Sequence, residues 1–285
     1  MAPTSHGIRT GLSRGLIEVR NHYVRSSDEI GVNVVLALAF AVVLFFQRNS
    51  TVEGTTLSLA AVVLPGILGM MVAWGGMMGA SGLLALERED GTLLRAKAIP
   101  HGMVGYLVGK VVMTAMMTAV SLMIILVAGL IFVPELLEAG VTGWLLLLGV
   151  LAVGLVATLP WGAVIGSLVK SPNAAFGLTM LPVGALTAIS GIFYPITAMA
   201  GWVQAIAQVF PIYWLGHGMR AALLPDAAAA AEIGQSWRYL EMFGVLGAWA
   251  VAGLLIAPPI LRRMARKESG GNMEERRQAA LQRMG

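Results

Sequence analysis

Hydrophobic positions run along this chain in long blocks free of Asp, Glu, Lys and Arg, at 30–47, 54–86, 111–134, 139–169, 171–219 and 242–261. Each can hold a helix that crosses a bilayer, which takes roughly 20 apolar residues for about 30 Å of hydrocarbon. The block at 171–219 is long enough for two, so loop charge has to fix the count. With six spans, Arg9, Arg14, Arg20 and Arg25 share a side with Arg88, Arg95, Lys97, Lys110, Lys170 and the basic tail, and only Arg48, Arg220 and Arg238 lie opposite. Seven spans would mix the two groups. The bias of Lys and Arg toward cytoplasmic loops therefore favours six spans with both termini cytoplasmic.

After Ser190-Gly191-Ile192-Phe193-Tyr194-Pro195 the chain stays apolar, but Gly201, Pro211 and Pro225 cut it into pieces too short to cross. We read 195–224 as two short helices dipping in from the outer face, a re-entrant hairpin between spans 5 and 6. An interfacial loop anchored by Trp202 and Trp214 fits the same pattern. At the start of the chain, Ile8, Leu12, Leu16, Val19 and Tyr23 fall on one helical stripe with Arg9 and Arg20 at its edge, which predicts an amphipathic interfacial helix within 1–29. The same arginines also suit a juxtamembrane segment held by anionic lipid. No cleavage pattern follows the first apolar block, so 1–29 is not read as a signal peptide. The expected architecture is an all-α integral membrane protein: a connecting helix in 1–29, a six-span domain over 30–261 and a basic cytoplasmic tail over 262–285.

Composition narrows the classes of function. Of 285 residues 57% are hydrophobic and only 12% charged, with a mean hydropathy of +0.79, which excludes a water-soluble enzyme. The absence of cysteine removes disulfides, thiolate metal sites and cysteine nucleophiles. A pI near 9.7 reflects sorting of cations to one membrane side rather than a nucleic-acid surface. His6, His22, His101 and His217 lack metal-ligand spacing, and apart from His217 no ionisable group falls at mid-membrane, so a proton-coupled carrier or an embedded enzyme has no candidates. The stretch Gly105-Tyr106-Leu107-Val108-Gly109-Lys110-Val111 is one residue short of a phosphate loop and lacks its hydroxyl, so this chain is expected to bind neither ATP nor a metal itself.

Between blocks two and three lies Leu86-Glu87-Arg88-Glu89-Asp90-Gly91-Thr92-Leu93-Leu94-Arg95-Ala96-Lys97-Ala98-Ile99-Pro100. Asp90-Gly91 signals a turn, Thr92 suits an N-cap and Ile99-Pro100 disfavours further helix, which predicts a two-turn charged helix over 93–98. Such an element can seat in a soluble partner and pass rigid motion to its spans, although a solvated turn fits the residues too. Met70, Met77, Met113 and Met117 repeat at helical spacing and can line a pliable substrate path or simply pack. Gly75, Gly79, Gly162 and Gly166 suit close helix contacts, and Pro65, Pro160 and Pro182 are expected to kink their spans.

Two motifs give the chain a family resemblance. Glu87-Arg88-Glu89-Asp90-Gly91-Thr92 with Pro100 and Gly109-Lys110, and Ser190-Gly191 through Pro195, Trp202, Pro211 and Arg220, resemble the permease subunits of type 2 ATP-binding cassette exporters, including the daunorubicin-resistance and polysaccharide-export branches. The resemblance implies ATPase coupling by Glu87, Arg88, Glu89, Gly91, Thr92 and Arg95 in the loop 87–100, and a connecting helix that includes Leu12, Leu16 and Arg20. It further implies an outer gate of Gly191, Pro195, Trp202, Pro211, Tyr213 and Arg220. It also implies a bacterial inner-membrane exporter of amphipathic drug-like or lipid-like molecules, powered by a separate ATPase that holds ATP and Mg and paired with a second permease copy or paralogue. Membrane lipids are the remaining expected partner. A scramblase, channel or scaffold that works without ATP is the alternative.

Overall fold

The computed structural model describes residues 3–25, 27–52, 57–98, 102–169, 171–267 and 278. The end of the coupling loop at Ile99-Pro100, Lys170 and the tail beyond Lys267 other than Gln278 lie outside the described residues, as do the side chains of Ile8 and Tyr23. The chain folds into helices α1 (Pro3–Arg25), α2 (Ser27–Gln47), α3 (Leu59–Trp74), α4 (Ala80–Glu89), α5 (Thr92–Lys97), α6 (Gly102–Leu130), α7 (Gly140–Leu168), α8 (Pro172–Ile189), α9 (Gly201–Val209), α10 (Pro211–Leu223) and α11 (Tyr239–Lys267). Among the described residues there is no strand beyond an isolated bridge between Thr51 and Ser58.

Among the described residues, five helices are long and apolar enough to cross a membrane: Leu59–Glu89, Gly105–Leu130, Pro134–Leu168, Pro172–Ile189 and Tyr239–Lys267. The apolar part of α2, Gly31–Gln47, is shorter. The first of the five joins α3 to α4 through a π turn at Gly75–Gly79 and is the most enclosed of them. Its enclosure follows from missing side chains. A Cβ on Gly69 would stand 2.4 Å from the Gly216 backbone in α10, one on Gly66 2.8 Å from the Ile192 carbonyl, and one on Gly162 of α7 2.4 Å from the Met77 carbonyl. Where backbones touch at this range, van der Waals contact replaces the hydrophobic drive that a lipid solvent does not supply.

Sequence pattern and observed packing differ in three places. First, the stripe of α1 is divided: Leu12 and Leu16 are exposed, while Val19 is buried together with Gly11 and Gly15. A Cβ on Gly11 or Gly15 would lie 2.7 Å from the Gly105 or Gly109 carbonyl of α6, so the helices meet through glycine and the leucines face outward. Second, the charged helix starts at Thr92, not Leu93. Gly91 supplies the left-handed turn at φ 75°, and Asp90 rather than Thr92 offers the capping oxygen, accepting from the Thr92 amide at 2.8 Å. Third, α10, in the segment read as a re-entrant pair, is enclosed more deeply than its pattern indicates. All 13 residues of α10 are buried, against α3, α7 and α11. Pro65, Pro160 and Pro182 do sit inside helices, joined by Pro258 and Pro259 in α11.

The glycine contacts give a direct test. Gly69→Val should destabilise the solubilised protein by about 3 kcal/mol, because backbone, not a flexible side chain, stands in the way. Gly31→Ala, where a Cβ meets nothing within 4 Å, should cost nothing. Thermal unfolding in detergent distinguishes the two.

Candidate functional site

At the end of the bundle that carries α5, three helices are tied by ions. Lys110 of α6 binds Glu18 of α1 at 2.5 Å and also Glu87 of α4, whose other oxygen accepts from the Tyr106 hydroxyl at 2.5 Å. Arg14 donates to Glu18 at 2.7 Å, and its guanidinium lies 5.8 Å from the Tyr106 ring centre. Burial alone would raise the Glu18 carboxyl, but the hydrogen bonds and charges of Lys110 and Arg14 outweigh it and hold the group below its usual range. Next to Glu87, Arg88 points the other way and donates to the carbonyls of Gly166, Ser167 and Val169 at 3.2, 2.9 and 2.8 Å. Those oxygens end α7 and have no partner within the helix, so a cation there meets both unpaired acceptors and the negative end of the helix dipole.

These bonds redistribute the predicted coupling residues. Glu87, Arg88 and Gly91 are buried, Glu89 and Thr92 are half-buried, and Arg95 is exposed. Thr92 accepts from Arg95 at 3.0 Å. Leu93 and Ala96 seat α5 on Leu84, Tyr106, Val164 and Leu261. The outward face of α5 and its turn therefore consists of Asp90, Arg95 and Ala98. Of the connecting-helix residues, Leu12, Leu16 and Arg20 are all exposed.

Beside the π turn lies a cavity of about 600 Å³ between α2, α3, α6 and α8, whose lining includes Asn33, Met71, Met113, Met117, Thr118 and Phe176. It mixes thioether, hydroxyl and amide surfaces. Of the four methionines proposed from spacing, Met113 and Met117 line it; Met70 and Met77, buried in the main core, do not, and Met71 beside Met70 does. The π turn widens the helix just here, and Gly75 leaves room for Thr118, whose hydroxyl would stand 2.2 Å from a Cβ at that position.

At the opposite end, α10 is fastened by a buried ion cluster. Arg220 grips Glu232 with two nitrogens, at 2.5 and 3.3 Å, and donates to the Gly191 carbonyl at 3.3 Å. His217 places Nδ1 2.9 Å from the same carboxylate and Nε2 2.7 Å from the Trp237 carbonyl. Burial pushes a carboxyl up, yet the Arg220 charge and the His217 hydrogen bond bring Glu232 down to about 2. Of the predicted gate residues, Gly191 and Arg220 are thus bonded to each other, Tyr213 stacks on His217 at 5.6 Å and Pro211 opens α10. Pro195 begins a 3-10 turn, and Trp202 stands apart, largely exposed on α9. Gly191 has φ 64°, and a Cβ there would press on Ile196 at 2.7 Å, so glycine is required.

A family model described as ABC-2 type transporter matches residues 10–224, from within α1 to the end of α10. The chain belongs to the ABC-2 type transporter family. No curated protein matches the sequence. As an ABC-2 permease it is a membrane-embedded transport subunit, of a family that normally works with an ATP-binding cassette subunit. The match contains the Lys110 cluster, the cavity and Arg220 but stops short of Glu232.

Sequence reading passed over Glu18, Tyr106 and Glu232 as functional positions. For Glu232 a signal existed: Arg220 closes a charge-free run and needs a counter-charge, and only Asp226 and Glu232 lie between it and Arg238. For Glu18, in a polar stretch of α1, nothing local distinguished it from a solvated acid.

Arg220→Ala in this ABC-2 permease should cost about 3–5 kcal/mol, since it strands a buried carboxylate, whereas Trp202→Ala should be nearly silent in the same unfolding assay. A pH series gives an independent check. Because the Glu232 carboxyl is lowered to about 2 from 4.5, the stability it contributes is complete above about pH 4.5 and is lost as pH falls from there toward 2. Glu232→Gln should lower Tm at neutral pH and abolish that part of the acid dependence.

Proposed function

We propose that this permease forms the transmembrane path of an ATP-driven exporter, with six spans, both termini cytoplasmic and α5 as the element that meets the ATPase. The observation that carries the reading is the clamp on α4: Glu87 fixes it to α6 and α1 through Lys110, Arg88 fixes it to α7, and α5 rides on its end with Asp90 and Arg95 facing out. A push on α5 is then delivered to four helices at once, where a loose loop would absorb it. Because Leu59–Glu89 is continuous, the push also reaches the π turn beside the cavity.

The sixth span is α2, whose 21 residues rise about 30 Å, while α9 and α10 are too short to cross and enter from the outer face as a re-entrant pair. In this arrangement α1, α5 and the end of α11 face the cytoplasm of a bacterial inner membrane. A second permease copy or paralogue completes the path, and the ATPase subunits bind ATP and Mg. The mixed lining of the cavity suits an amphipathic drug-like or lipid-like substrate, with thioethers adapting to varied apolar shapes. Gly191, Pro211, Tyr213 and Arg220 hold the outer closure by which substrate leaves.

Coupling contact and structural clamp separate by mutation. With the ATPase co-reconstituted in vesicles, Arg95→Glu should lower export and the ATPase activity it drives by about tenfold or more at unchanged membrane abundance, because a reversed charge on an exposed surface disturbs docking alone. Glu87→Gln should instead reduce abundance and Tm. Export at the wild-type rate by Arg95→Glu would refute the docking role of α5. Substrate movement by the permease alone, with no ATPase present, would favour a scramblase or channel.

A further inference from the structure

A second hollow, of about 310 Å³, lies on the other flank of α4 and α6, enclosed with α7 and α11. Apart from the edges of Glu87, Tyr106, Lys110 and Thr114 its lining is hydrocarbon, and its mouth is formed by the exposed Leu107, Val111, Val156 and Leu254. It opens sideways from spanning helices, so the medium at its mouth is lipid and its natural occupant is an acyl chain. The closed end offers no free charge to a headgroup, because both carboxylates and the Tyr106 hydroxyl already bind one another or Lys110. Charge appears instead on α11. Leu254 and Pro258 form the exposed edge of the groove, and the same edge continues at four-residue steps into Arg262 and Arg266, both exposed. Neither arginine has a hydrogen bond or ion pair to any described residue. Aliphatic groove and free guanidinium groups thus adjoin at the end of the bundle that carries α5.

We propose that this groove is a binding site for one anionic phospholipid of the surrounding bilayer, an acyl chain lying against Val111, Val156 and Leu254 and the phosphate held by Arg262 and Arg266. The lipid would wedge against α4, α6, α7 and α11 behind the Lys110 clamp, on the side away from the substrate cavity. Two planar guanidinium groups suit a phosphate, and a zwitterionic lipid would bring its own cation into the same basic patch. The inference goes beyond the export reading and does not rest on it, since it concerns what the chain binds with no ATPase and no substrate present.

Full-length chain, purified in mild detergent and incubated with equimolar phosphatidylglycerol and phosphatidylcholine, tests it through the lipid that the protein retains, quantified by mass spectrometry. Retained lipid should be enriched in phosphatidylglycerol, and the enrichment should fall by about fivefold for each of Arg262→Gln and Arg266→Gln. Both substitutions are at exposed, unbonded positions, so folding is undisturbed. Val111→Trp, which fills the mouth from an already exposed position, should lower the amount of bound phosphatidylglycerol with both arginines intact. Arg48→Gln, at the other end of the bundle, should change nothing. Equal retention of the two lipids by the unaltered chain, unchanged enrichment in the arginine variants, retention insensitive to Val111→Trp, or an equal loss in Arg48→Gln would each overturn the site.

Discussion

Backbone-to-backbone contact along Leu59–Glu89 is the constraint on which the rest of this structure depends. Gly66 and Gly69 on that helix and Gly162 and Gly166 on α7 leave out the side chains that would hold neighbours away, so α10 and α7 rest directly on it. A helix closed in on several sides has little lipid contact of its own, and its packing must be satisfied by protein. That is why α10, only 13 residues long, is wholly buried: it occupies space opened by glycine, and its own Gly216 and Gly218 let it approach α3, α7 and α11. Larger side chains at these positions would separate the helices and leave the polar groups of α10 without cover.

Burial on that scale forces the charges into pairs. Arg220 and His217 enter the interior with α10 and need a polar partner there, so the loop after α10 folds back to deliver Glu232 to both. The same rule works at the other end with different parts. Lys110 is placed where α6 meets α1 and α4, and each of those helices returns one carboxylate to it. In both clusters the ions set the register of helices whose contact surfaces are otherwise smooth and could slide. The cost of breaking either pair, rather than any gain from forming it, is what makes the register specific.

Much of this was legible in the sequence. Charge-free blocks marked the long helices, Gly and Pro divided 171–219 into α8, α9 and α10, and Asp90-Gly91 marked the turn before α5. Facing was harder to read. On α1 the hydrophobic stripe includes Leu12 and Leu16 but does not show which residues meet α6: in a bilayer an apolar residue gains nothing by facing protein, and the small residues Gly11 and Gly15 take the contact. The same inversion explains Leu86, exposed beside buried Glu87 and Arg88. Hydrophobic periodicity identifies the interior of a soluble protein, whereas here polarity identifies it. By that rule Lys110, His217 and Arg220 are the informative residues; Glu232 lies near enough to Arg220 to be sought as its counter-charge, whereas Glu18 is 92 positions from Lys110 and no local pattern links those two.

The two ion clusters and the helix between them also define how movement can pass through the molecule. At the α5 end, Glu87 and Arg88 are adjacent on α4 yet bind opposite neighbours, so α4 cannot turn about its axis without breaking one bond or the other. Tilting is less restricted, because Lys110 and Arg88 hold the same end of the helix. Toward the other end, Gly69 fixes α3 to α10, Gly66 fixes it to Ile192 in the turn after α8, and Arg220 fixes α10 to Gly191 in that same turn. Between these anchored ends lies the π turn, where the regular i to i−4 ladder is already interrupted and where Gly75, Gly76 and Gly79 bring no bulk to resist bending. A force applied at α5 therefore meets its most compliant point at the wall of the cavity, where a small tilt changes the shape of that cavity without loosening either set of ions.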